Sequence, residues 1–149
     1  MDVRKVSVSD DDNVVTWTIS AGTGSRTFRW TPSGGVQDLG AVTTIDEFSL
    51  GGISADGSVV VGTATNGSQG EQAFRWTAAK GIQFLDRFPV TQFSHATGVS
   101  GDGQVVVGLY RRSDGANLAY RWTVASGSRI LGRILTQALQ GPTMTAQWW

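Results

Sequence analysis

The chain reads EQAFRWT from Glu71 to Thr77, SRTFRWT from Ser25 to Thr31 and NLAYRWT from Asn117 to Thr123. The pairs Arg29–Trp30, Arg75–Trp76 and Arg121–Trp122 stand 46 residues apart. A second anchor keeps the same interval: GISADGSVVVG covers Gly52 to Gly62, and GVSGDGQVVVG covers Gly98 to Gly108. A weaker first copy, VSDDDNVVTW from Val8 to Trp17, aligns when one residue is inserted before Arg29. There Asp11 and Asp12 stand in for the Asp–Gly pair, and Trp17 for the closing glycine. Self-similarity at a period of this size marks a repeat architecture.

Each unit reads as four short strands. In the second unit they fall near Leu50 to Ser54, Ser58 to Thr65, Glu71 to Thr77 and Ile82 to Asp86. The third unit predicts strands over Ala96 to Ser100, Gln104 to Tyr110, Leu118 to Thr123 and Arg129 to Gly132. Turns fall at Asp56–Gly57, a strong hairpin signal, at Asn66 to Gly70 and at Ala78 to Gly81. No segment before residue 133 has a helical period. A lone four-stranded sheet buries too little surface, and the run Val59 to Val61 is apolar toward both faces. These features predict an all-β, propeller-like stack of three four-stranded antiparallel units, with a β-sandwich as the rival. Approximate units cover residues 3–41, 42–87 and 88–133, and residues 134–149 read as a C-terminal cap or tail. Gly62 and Gly108 fit close sheet approach or crowding near an axis.

Side chains alternate along a strand. Phe28 with Trp30, Phe74 with Trp76, and Tyr120 with Trp122 therefore point one way, while Arg29, Arg75 and Arg121 point the other. The aromatic pair is expected to fill the space between neighbouring sheets. A buried guanidinium needs acceptors. The recurring acids Asp56 and Asp102, with Asp10 or Asp11 in the first unit, are the expected bidentate partners; the alternative is that each arginine caps turn carbonyls. Gly57 and Gly103 belong to the same repeated structural set.

Composition narrows the chemistry. The 149 residues contain no cysteine, so no disulfide, thiolate metal site or cysteine nucleophile exists. Twelve basic residues balance twelve acidic ones, which argues against a nucleic-acid surface. Absence of an 18-residue apolar run argues against an inserted helix, and MDVRKVSVSDDD lacks the apolar stretch of a signal peptide. His95 is the single histidine and reads as a loop or edge residue. No nucleophile elbow, Walker loop or dinucleotide fingerprint is present. GTGS at Gly22 to Ser25 lacks the lysine and following helix of a phosphate loop. DDDN at Asp10 to Asn13 lacks the length and final Glu of an EF-hand. SADGS at Ser54 to Ser58 is superficially similar to a sialidase aspartate box, without the later glycine and aromatic spacing. The paired carboxylates a glycosidase needs cannot be assigned to Asp46, Glu47 or Glu71 from spacing. The sequence therefore predicts no catalytic residue, metal site or cofactor.

The combination of AFRWT (Ala73 to Thr77), GISADGSVVVG and VQDLG (Val36 to Gly40) resembles the HAF repeats of predicted bacterial extracellular and autotransporter proteins. Ala119 to Thr123 with Gly98 to Gly108 makes a further copy, and Phe28 to Thr31 a degraded one. IQFLD (Ile82 to Asp86) and SRILG (Ser128 to Gly132) are looser versions of the VQDLG stretch. The resemblance covers about 130 residues. It implies a secreted or surface-associated parent and supplies no catalytic residue.

Three units do not close a propeller of four to eight blades. Either the chain is a piece of a longer protein, or an open stack is capped, or copies assemble, with a dimer giving six blades. The leading functional expectation is a noncatalytic scaffold for protein interaction or self-assembly. The second is a carbohydrate-binding module using Trp30, Trp76 and Trp122, then Trp17, Trp148 and Trp149. A hydrolase on the same scaffold is third. Loops at Asn66 to Gly70 and Arg111 to Asn117 differ between units, as a contact surface on a rigid frame can.

Overall fold

A computed structural model describes residues 2–21, 24–40, 47–65, 70–85 and 91–132. Twelve strands account for most of them. The first sheet is β1 (Asp2–Val8), β2 (Val15–Ala21), β3 (Gly24–Thr31) and β4 (Gly35–Asp38), paired in chain order. The second is β5 (Glu47–Ile53), β6 (Val59–Thr65), β7 (Glu71–Thr77) and β8 (Gly81–Phe84). The third is β9 (Thr91–Val99), β10 (Val105–Arg112), β11 (Asn117–Thr123) and β12 (Gly127–Gly132). Every pairing is antiparallel. β5 lies against β1, β2 and β3, while β9 lies across β5, β6 and β7. Three sheets are thus stacked face to face, with the second in the middle. This is a propeller-like stack, not a two-sheet sandwich.

The stacking order explains the valine runs. On one side of the second sheet, Phe48, Leu50, Val60, Ala64, Phe74 and Trp76 form a core with Leu39 of the first unit. On the other, Val59, Val61 and Ala73 pack with Ala96, Val106, Tyr110, Leu118 and Tyr120 of the third sheet. β6 is buried from Val59 to Ala64, whereas β10 alternates buried and exposed positions. The same VVVG is thus covered on both faces in the middle sheet and on one in the last. Val61 is 0% exposed and its repeat equivalent Val107 is 41% exposed.

Each unit turns from its first strand into its second through Ser-x-Asp. Ser9, Ser54 and Ser100 accept from the backbone N–H of Val14, Val59 and Val105, each at 3.0 Å. Their hydroxyls donate to Asp11 (2.5 Å), Asp56 (2.8 Å) and Asp102 (2.5 Å). The same carboxylates accept from the N–H of Asn13, Ser58 and Gln104. The residue after each Asp is left-handed: φ is 60° at Asp12, 68° at Gly57 and 70° at Gly103. Glycine suits this conformation because it has no Cβ to clash; Asp12 is the one non-glycine there among the described residues.

Two local expectations change. Gly62 and Gly108 are tight within their own sheets: an added Cβ would overlap the Ser49 and His95 carbonyls of the adjacent strand, beside a bulge in each pairing. Close approach between units is made instead at Gly51, whose missing Cβ leaves room for the Ala96 carbonyl, and at the turn glycines Gly57 and Gly103, which face Val14 and Val59. β9 also starts earlier than its sequence suggests, so His95 lies within a strand, opposite Leu109.

Candidate functional site

Alternation along β3, β7 and β11 gives every sheet an aromatic face and an arginine face. The aromatic face of the second sheet packs on the first, and that of the third packs on the second. Trp76 is 3% exposed within this packing, and Trp122 packs against the core between the second and third sheets. These two rings therefore fill inter-sheet space.

The arginines link one sheet to the next. The Arg29 guanidinium lies over the Trp76 ring, 5.6 Å from its centroid, and Arg29 Nε donates to the Gly57 carbonyl at 3.1 Å. One unit later, Arg75 lies 6.0 Å from the Trp122 centroid and its Nη2 donates to the Gly103 carbonyl at 3.2 Å. Cation–π attraction is worth roughly 0.5–2 kcal/mol, more when desolvated. A backbone bond accompanies each clamp: Asp10 N–H donates to the Ala55 carbonyl, and Ala55 N–H to the Gly101 carbonyl, both at 2.9 Å. A groove along this edge is lined by Arg29, Ser58, Arg75, Trp76, Asp102 and Gln104.

The expected bidentate Asp partners are absent from these clamps. The repeated carboxylates are already held by their own turns, and turn carbonyls take the arginine hydrogen bonds. Burial lowers the pKa of Arg29 and Arg75, opposed at Arg29 by the charge of Asp56. For Asp56 the backbone N–H of Ser58 is the main cause of a lowered carboxyl pKa; for Asp11 and Asp102 it is the hydroxyl of Ser9 or Ser100.

Other polar contacts between sheets differ from junction to junction. Lys5 donates to the Gly51 carbonyl, and the Ser25 hydroxyl donates to the Phe48 carbonyl while accepting from the Phe48 N–H. Ser25 thus serves the first junction instead of a phosphate loop. His95 serves the second, with Nδ1 3.3 Å from Thr63 Oγ1 and Nε2 3.3 Å from Glu71 Oε2.

The clamp is half-made at each end of the stack. Trp30 shares the outer face of the first sheet with Val15, Trp17, Phe28 and Val36. Trp17 and Phe28 are stacked, with centroids 5.7 Å apart and planes inclined by 22°. Val36, paired with Trp30, is 61% exposed; its equivalent Ile82, paired with Trp76, packs against the core. On the outer face of the third sheet, Arg121 pairs across strands with Val107 and Arg129, beside exposed Leu109 and Arg111. No further sheet follows on either side among the described residues.

Trp148, Trp149, Asp46, residues 66–69 and the tail 134–149 lie outside the described residues. Among the described residues, no group of three or more His, Cys, Asp or Glu side chains is placed to hold a metal ion. Of the end-face residues, Val36, Val107, Arg111 and Arg129 fall inside repeated motifs or variable loops that do not mark them as end-face positions, and Leu109 falls in none. Their signal is that they occupy, in a terminal unit, the position of a residue covered in the middle unit.

No protein-family model matches the sequence, and no curated protein does. Solved structures do. TolB from Acinetobacter baumannii is 21% identical with a TM-score of 0.63, over 86% of this chain and 32% of that one. A putative TolB from Agrobacterium tumefaciens is 17% identical with a TM-score of 0.64, over 88% of this chain and 46% of that one. The β-propeller domain of the Trilobed protease from Pyrococcus furiosus, described as having an open velcro topology, is 7% identical with a TM-score of 0.56, over 89% and 43%. The chain therefore has the sheet arrangement of a β-propeller and spans less than half the length of these proteins.

Proposed function

We propose that the chain is a noncatalytic, propeller-type repeat scaffold that binds protein through the two outer faces of its stack. One observation carries this reading: a junction built twice inside the chain, from arginine, tryptophan and turn carbonyl, recurs at each end as a half that is unpaired among the described residues. Exposed apolar positions beside each half-junction, Val36 at one end and Val107 and Leu109 at the other, are suited to burial against a partner. The resemblance to HAF repeats adds a secreted or surface-associated parent to the proposal. Photo-crosslinking residues placed at Val36 and at Leu109 test it in cells that make the protein. Discrete higher-mass protein adducts are expected from both positions, and none from exposed Ser33 on the β3–β4 turn. Absence of adducts at both faces sinks the reading.

A carbohydrate-binding reading has one specific support. The stacked Trp17–Phe28 pair and Trp30 form an aromatic surface beside the Arg26–Asp38 ion pair, whose atoms are 2.8 Å apart. Trp76, by contrast, is packed away inside the stack. Binding to immobilised glycans that is lost in both Trp17→Ala and Trp30→Ala would favour this second reading; undiminished binding in both variants would remove it.

A further inference from the structure

We infer that the partner at both outer faces is a second copy of this chain, joined head to tail so that Arg121 of each copy closes over Trp30 of the other. This rests on reading the end faces as interaction surfaces, and it names what covers them.

The template is internal. At both existing junctions a sheet contributes its arginine face and the N–H of the residue after its turn serine. The next sheet contributes its aromatic face, a tryptophan ring and two turn carbonyls. Applied to the ends, the same rule pairs Arg121 with Trp30 and with the carbonyl of Asp12, the equivalent of Gly57 and Gly103. It pairs the N–H of Gly101 with the carbonyl of Asp10. Val107 and Leu109 then meet Val15, Trp17 and Val36, as Val61 and Thr63 meet the third sheet.

Charge favours this pairing over any other between the two faces. The head end carries Asp10, Asp11 and Asp12 in its turn, where the internal junctions have Ala55-Asp56-Gly57 and Gly101-Asp102-Gly103. The tail face carries Arg111, Arg121 and Arg129, with Arg121 and Arg129 directly opposed across neighbouring strands. Like charges so placed repel unless an anion lies between or above them. An acidic turn is what the added copy brings. A chain of zero formal net charge thus holds opposite signs at its two ends, which steers head-to-tail encounter and disfavours head-to-head and tail-to-tail contact. Two copies give six blades, within the usual range for a closed propeller, and place identical junctions about a two-fold axis.

The test uses the purified full chain. Light scattering coupled to size exclusion is expected to give twice the 15.8 kDa chain mass. A head variant (Trp30→Ala, or Val36→Asp at an exposed site) and a tail variant (Arg121→Glu, or Leu109→Asp) are each expected to dissociate roughly ten-fold more readily or worse, with unchanged far-UV circular dichroism. Mixing one head variant with one tail variant is expected to yield a 1:1 complex, because each keeps one intact half. A monomeric wild type, a tail variant that remains dimeric, or a mixture that stays monomeric overturns the inference. If the wild type is monomeric while the cellular crosslinks at Val36 and Leu109 capture a different protein, only the second-copy partner fails. If no crosslink forms either, the interaction reading fails with it.

Discussion

Replacing Gly57 by alanine separates inter-sheet packing from backbone conformation. Gly57 and Gly81 have nearly the same left-handed φ, 68° and 65°. A Cβ on Gly81 would meet nothing within 4 Å, whereas one on Gly57 would run into the side chain of Val14, in the β1–β2 turn of the first unit. Left-handed conformation costs an L-residue about 1–2 kcal/mol, offset by about 0.4–1 kcal/mol from the reduced freedom of the unfolded chain. Gly81→Ala should therefore destabilise by about 1 kcal/mol. Gly57→Ala adds an overpacking penalty of about 1–3 kcal/mol, giving about 2–4 kcal/mol in total. Gly103→Ala belongs with Gly57→Ala, because its Cβ would lie 2.5 Å from Val59 Cγ2 at φ 70°. Equilibrium urea unfolding measures the differences at constant slope, and thermal unfolding should show them as about 2–4 °C per kcal/mol. Equal losses for Gly57→Ala and Gly81→Ala, within about 0.5 kcal/mol, would mean that the turn of the second sheet does not press on the first.

Three further outcomes follow from the same contacts. Asp11, Asp56 and Asp102 have folded carboxyl pKa values below the ordinary 3.8, so their stabilisation is complete above that value and is lost as pH falls through the lower folded values; the urea midpoint should drop less between pH 7 and pH 3 in Asp56→Asn than in wild type. Arg75 is 8% exposed, and its Nε has no hydrogen-bond partner among the described residues; Arg75→Met, which removes a buried charge while keeping bulk, should cost about 1 kcal/mol or less, and Arg75→Ala about 2 kcal/mol or more, in the same unfolding assay. Trp76→Ala should cost about 3–5 kcal/mol, read by chemical denaturation, because the ring lies in the core between the first two sheets.

Much of this was legible because repetition reports environment indirectly. EQAFRWT gave the bounds of β7, and the Asp–Gly dipeptides marked the turns, since both depend on local backbone geometry. The opposite faces of Phe74 and Arg75 followed from strand alternation alone. The partner of the arginine did not: the sequence leaves an acid and a turn carbonyl open, and the turn carbonyl takes it. Asp56 and Asp102 are the nearest repeated acids in sequence, but Ser54 and Ser100 two residues earlier occupy them, and that competition is visible only when both side chains are placed. The three tryptophans likewise look equivalent as letters. Their different exposure is a property of stack position: Trp76 has a sheet in front of it, and Trp30 has none among the described residues. For His95 the sequence leaves loop and edge open, and the edge reading holds: it lies on β9, the edge strand of the third sheet, which starts at Thr91 rather than near Ala96.

The directionality of the arginine clamp bears on how such a chain can lengthen or shuffle. The first unit reaches toward the second and the second toward the third, so tandem duplication of the central unit would insert a segment already compatible on both sides. Exchange of units is not equally tolerated: a permutation that moved the central one to a terminus would put Ala55 and Gly57 where the first unit has Asp10 and Asp12, or Gln83 where the last has Arg129, and so remove the charge difference between the two ends. The architecture is thus free in copy number and constrained in order, because the first and last of the three units differ from the central one in the charges they present.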